Sequence, residues 1–75
     1  MKLRFTYHAQ SQALARHINE SRIADTIRKP DEVSEAKDGA SAYTRVFGTK
    51  KLRVIARQVN VKGEGEYVIL TTYYI

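Results

Sequence analysis

Leu52-Arg53-Val54-Ile55-Ala56-Arg57-Gln58-Val59-Asn60-Val61 is the stretch that decides the fold. Apolar and polar side chains alternate along it with the period of two that a half-buried strand requires. Leu52, Val54 and Ala56 share one side, and Arg53, Ile55, Arg57 and Val59 share the other. Gly63-Glu64-Gly65 then carries hairpin-turn chemistry, and Glu66 to Ile75 returns as a strand dense in β-branched and aromatic residues. On that return strand Val68, Leu70, Thr72 and Tyr74 oppose Tyr67, Ile69, Thr71 and Tyr73. The expected core side is Leu52, Val54, Ala56, Val68 and Leu70. The other face then collects Arg53, Arg57, Thr71 and Tyr73, with Ile55 and Ile69 between them.

Upstream of Pro30 the periodicity is helical. Leu3-Arg4-Phe5-Thr6 alternates briefly as a lead-in strand, and Thr6 is placed to cap a helix over 7–17 whose buried stripe is Ala9, Ala13 and Leu14. Ile18-Asn19-Glu20 interrupts it. Ser21 is a good N-cap for a second helix over 21–29, with Ile23, Ala24 and Ile27 as its apolar face, and Pro30 stops it. After Pro30 the period falls to two: Glu32 to Ala36 reads as a weak strand, Lys37 to Ala40 as a turn, and Tyr43 to Phe47 as a strand ending at Gly48. The expected architecture is α+β, a single domain over 1–75. Two N-terminal helices pack on one face of a three- or four-stranded antiparallel meander whose central member is the strand at 52–61.

At 75 residues the chain has a thin core, so a partner or a second copy forming a homodimer would add stability. The absence of cysteine removes disulfides, thiolate metal sites and a cysteine nucleophile together. His8 and His17 have neither cysteine partners nor an acid pair at ligand spacing, so neither a metal nor a cofactor is implied. The longest apolar run, Tyr67 to Leu70, is far below the ~20 residues of a membrane span, and Met1-Lys2-Leu3-Arg4 lacks the apolar region of a signal peptide. A cytoplasmic protein without membrane attachment is expected.

Charge points outward. Lys and Arg number 13 against 8 Asp and Glu, a net charge of +5. The signs are segregated: between 41 and 62 the chain carries Arg45, Lys50, Lys51, Arg53, Arg57 and Lys62 and no acid, whereas six acids fall between 20 and 40. Such segregation suits a polyanion. Arg45, Lys50, Lys51 and Arg57 are candidate nucleic-acid contacts, and the Gly48-Thr49-Lys50-Lys51 turn reads equally as a phosphate grip or a plain hairpin. A sheet face that combines arginine forks with hydroxyls and a tyrosine ring fits phosphates and bases.

The order of elements resembles a family. Phe5-Thr6-Tyr7-His8-Ala9 opens the first helix, Lys29-Pro30-Asp31-Glu32-Val33 closes the second, and Leu52-Arg53-Val54-Ile55 and Val68-Ile69-Leu70-Thr71 lie in strands. Together they resemble a small domain-of-unknown-function family allied to the RelE/ParE-type toxins. The resemblance implies a helical hairpin on a twisted antiparallel sheet and, for RelE-like members, a metal-independent ribonuclease acting on messenger RNA at the ribosome and held in check by an antitoxin, here an acidic protein. ParE-like relatives act instead on DNA gyrase. Carried onto this chain, Arg53 stabilises phosphate charge, His8 transfers a proton, and Thr71 with Tyr73 positions the substrate. His17 is the reserve for His8. One departure stands out: no Lys or Arg follows Lys62, where RelE-type toxins carry a basic residue near the end of the last strand. The residues also fit a non-catalytic basic module that binds nucleic acid or a partner protein, including a viral or mobile-element regulator that keeps the fold without the chemistry.

Overall fold

Two caps organise the N-terminal third of the chain. The computed structural model describes residues 1–59 and 65–75. After β1 (Lys2–Phe5), Thr6 turns the backbone into α1 (Tyr7–Ala15) and accepts a hydrogen bond from the Ala9 amide at 3.0 Å. The helix stops short of His17. The Ile18 amide reaches back to the Ala13 carbonyl at 2.9 Å and the His17 amide to the Leu14 carbonyl at 3.3 Å, which closes a Schellman cap with His17 in the left-handed region at φ 55°. This cap moves the apolar stripe. Leu14, expected in the core, is 73% exposed, and Ile18 is buried instead.

His17 occupies the position where glycine is usual, and a left-handed non-glycine residue costs about 1–2 kcal/mol. Part of that returns as the greater chain entropy of glycine. His17→Gly is therefore expected to raise stability by roughly 0.5–1 kcal/mol, read as a rise of several degrees in Tm. An unchanged or lowered Tm would contradict the cap geometry.

In α2 (Glu20–Arg28) the N-cap is Asn19, not Ser21: Asn19 Oδ1 accepts from the Arg22 amide at 2.8 Å, while the Ser21 hydroxyl donates to the same oxygen. Ile23 and Ile27 are buried as expected, and Thr26 is buried beside them with its hydroxyl bonded to the Arg22 carbonyl. The chain then forms β2 (Glu32–Glu35), a short 3-10 turn (Lys37–Gly39), β3 (Ser41–Phe47), β4 (Lys50–Val59) and β5 (Glu66–Tyr74). Gly48 and Thr49 are the two-residue link between β3 and β4, with Gly48 at φ 62°. The expected turn at Gly63-Glu64-Gly65, and the end of the strand at Val61, fall on 60–64 and so lie outside the described residues but for Gly65.

The sheet corrects the expected meander of three or four antiparallel strands. It has five strands in the order β1-β5-β4-β3-β2 and is mixed, because β1 lies parallel to β5 with Leu3 opposite Tyr67 and Phe5 opposite Ile69. The cause is physical. Without β1, β5 would leave an edge of backbone donors and acceptors unpaired, and Leu3 and Phe5 lay apolar side chains beside the core as they cover it.

A second correction concerns which residues of β5 are buried. Pairing slips between Ile55 and Ala56: Ile55 faces Thr71 but Ala56 faces Ile69, so Leu70 is an extra residue. A one-residue slip exchanges the two faces of a strand. Tyr67 and Ile69, rather than Val68 and Leu70, therefore join Leu52, Val54 and Ala56 under the helices, and Ile69 is fully buried. The Leu70 carbonyl accepts a hydrogen bond from the Thr6 hydroxyl at 3.3 Å, which ties the bulge to the α1 cap. Both helices lie on this face, where Ala9, Ile18, Ile23 and Ile27 meet the strands. No helix among the described residues is long and apolar enough to cross a membrane.

Candidate nucleic-acid interface

The face of the sheet turned away from the helices is assembled by cross-strand register. One row runs Glu32, Thr44, Arg53, Tyr73 across β2, β3, β4 and β5, the next Ser34, Ala42, Ile55, Thr71, and a third Arg57, Val68, Arg4 across β4, β5 and β1. Arg53, Arg57, Thr71 and Tyr73 thus share one surface. Ile69, expected there too, has moved to the core with the bulge.

Arg53 is held by its neighbour. Its Nε donates to Thr44 Oγ1 at 3.2 Å, and Thr44 is only 2% exposed, so the fork is anchored at its base. Among the described residues its two Nη groups make no hydrogen bond or ion pair. A guanidinium fixed through Nε with Nη1 and Nη2 free is oriented to receive an anion in two-point fashion. Tyr73 stands across from it, with an aromatic ring for a base to stack on.

The other cations differ in how free they are. Arg57 donates from Nε and Nη2 to the Asp38 carbonyl at 3.2 and 2.9 Å, clamping the turn before β3, where Asp38 takes φ 57°. Lys51 sits on the same face, 3.7 Å from Glu32, and Arg4 is 3.1 Å from Glu66. The Lys51 pair is exposed, and such pairs are worth little and yield readily to a stronger anion; in the Arg4 pair the Glu66 side chain is partly buried.

Three candidates lie elsewhere. His8 belongs to α1, in the helical layer, and is exposed; among the described residues no hydrogen bond joins it to Arg53, Thr71 or Tyr73. Arg45 and Lys50 point to the helix-covered face, because they alternate with Thr44 and Lys51. Arg45 Nη1 donates to the Asp25 carbonyl at 3.3 Å in α2. The basic segment is thus divided between two surfaces. Thr44, the residue that orients Arg53, was not singled out from sequence; its signal is its place two residues from Ala42 on the alternation of β3.

Also on the helix-covered face, the Tyr43 and Tyr67 rings meet edge to face at 6.2 Å. Burial pushes the Tyr43 phenol above its usual pKa, the neighbouring Tyr67 adds to this, and a hydrogen bond with Ser41 opposes it. That phenol is therefore a neutral packing group. Among the described residues no three of His, Asp and Glu converge to hold a metal ion. Comparison of the chain with protein-family models, with curated proteins and with solved structures finds no match.

Proposed function

We propose that the chain is a non-catalytic module that binds single-stranded RNA on the sheet face bearing Arg53, in the cytoplasm where such a ligand is met. The observation that carries this reading is the row Thr44, Arg53, Tyr73: an oriented guanidinium without a carboxylate partner among the described residues, directly across from an aromatic ring. Arginine forks take phosphates, and every base has a face that stacks on tyrosine, so the pair suits a strand without requiring a sequence. Arg57, Lys51 and Arg4 extend the positive field on either side. Cleavage of the kind the RelE resemblance implies needs a proton-transfer group beside Arg53, and His8 lies in the helical layer, which is why binding is proposed in preference to catalysis.

The experiment is fluorescence anisotropy of labelled oligouridylate titrated with the protein across a salt series. Binding is expected to weaken steeply with salt, with a log–log slope of about −0.7 for each phosphate neutralised. Salt-independent binding, or none at low salt, contradicts the reading, and shortening of the oligonucleotide by wild-type protein would restore the ribonuclease.

A further inference from the structure

On the opposite side of the same end of the sheet, cations gather around two rings. The Arg22 guanidinium, from α2, stands 4.7 Å from the centre of the Phe47 ring, and that of Arg45 stands 5.1 Å from it. Arg22 Nη1 also donates to the Tyr74 hydroxyl at 3.4 Å, while Lys50 Nζ lies 5.0 Å from the Tyr74 ring. The register builds this: Phe47 faces Lys50, Arg45 faces Leu52, and Leu52 faces Tyr74.

Ring faces attract cations but do not neutralise them. Among the described residues none of the three cations has a carboxylate within ion-pair distance, and Asp25, whose backbone carbonyl Arg45 holds, gives its carboxylate to Arg28. Three like charges are thus held together at one corner with no ion-pair partner among the described residues. The β3–β4 hairpin joins this corner to the Arg53 face. Lys50 and Lys51 are consecutive and point to opposite sides, and the Leu52–Tyr74 row is followed immediately by the Arg53–Tyr73 row.

We infer that Arg22, Arg45 and Lys50 form a second phosphate-binding site. A single RNA strand seated on the Arg53 face continues round the β3–β4 hairpin, past Lys51 and Lys50, onto it. The inference rests on the RNA-binding reading above and adds the path of the strand. Single-strand sites of about 4–16 nucleotides are usual for small sheet domains, and the longer part of that range suits a strand that meets both faces.

The test is anisotropy and stoichiometry with an oligouridylate of about 12 nucleotides. Wild type is compared with Lys50→Gln, Arg22→Gln and Arg53→Ala, each checked for an unchanged Tm. Lys50 is exposed, so Lys50→Gln keeps the test valid even if Arg22→Gln, which gives up the ring contact, loosens the fold. Lys50→Gln and Arg22→Gln are each expected to weaken binding roughly threefold to tenfold and to reduce the salt slope by about 0.7, with one strand bound per chain. Wild-type affinity and slope in both variants while Arg53→Ala still weakens binding, or two strands per chain, overturns the wrapped path and leaves the Arg53 face standing. Loss in Lys50→Gln with none in Arg53→Ala removes the Arg53 face instead.

Discussion

Arg53→Ala is expected to weaken binding of single-stranded RNA by about 10- to 100-fold, the equivalent of the 1.5–3 kcal/mol that a hydrogen bond to a charged partner contributes. Arg53→Lys keeps the charge but gives up the two-point fork and the Nε anchor to Thr44, so its loss should fall between wild type and alanine. Tyr73→Ala removes a stacking surface worth about 1–3 kcal/mol and should cost roughly 5- to 100-fold. Thr44→Val keeps the buried volume while releasing the guanidinium, and a smaller loss of a few-fold is expected without a change of salt slope. Electrophoretic mobility shift at one fixed salt concentration measures all four affinities, and anisotropy across a salt series gives the slope for Thr44→Val. If Arg53→Ala and Tyr73→Ala both bind like wild type, the cross-strand row has no part in binding.

Ile69→Ala carries the largest expected effect on stability. Ile69 is fully buried among Ala9, Val54 and Ala56, and truncating such a residue costs about 2–5 kcal/mol. A domain this small has only a few kcal/mol in hand, so much of the variant should be unfolded at room temperature. Leu70→Ala, one residue on, should cost about 1 kcal/mol or less, because Leu70 is the extra residue of the bulge and stands outside the core. Urea denaturation followed by circular dichroism separates the two. A larger loss from Leu70→Ala would mean that β5 alternates without the bulge, with Leu70 rather than Ile69 in the core, while Thr71 and Tyr73 keep the Arg53 face in either case.

Strict alternation in Leu52 to Val59 was enough to divide β4 into a core side and an arginine side, because a strand has only two faces. Thr6 and Pro30 bounded the helices through chemistry local to each position. The bulge is different in kind: nothing in Val68-Ile69-Leu70-Thr71 announces that two residues will stand opposite one, so the faces before Leu70 were exchanged while those of Thr71 and Tyr73 were unaffected. The parallel pairing of β1 with β5 was hidden for another reason, since it joins residues more than 60 apart and leaves no turn in the sequence. His17 in the left-handed region was equally silent, because histidine takes that region far less often than glycine.

The candidate site shows the same division. Arg45, Lys50, Lys51, Arg53 and Arg57 are close along the chain and look like one basic patch, yet alternation on β3 and β4 sends Arg45 and Lys50 to one face and the others to the opposite one. His8 is joined to Arg53 by resemblance alone, and the helix that carries it packs on the face opposite to Arg53. What the fold adds is the partner of each cation: a threonine that aims Arg53, a backbone carbonyl that occupies Arg57, and rings that hold Arg22, Arg45 and Lys50.

Nuclear magnetic resonance of the isotope-labelled chain, titrated with oligouridylate, tests the RNA-binding face most directly. The Arg53 Nε–H and the Tyr73 ring signals should shift in step with the backbone amides of Ile55 and Thr71, while those of Ala9, Ala13 and Leu14 in α1 stay in place. Shifts confined to α1, with Arg53 and Tyr73 unmoved at saturating oligonucleotide, would contradict the account.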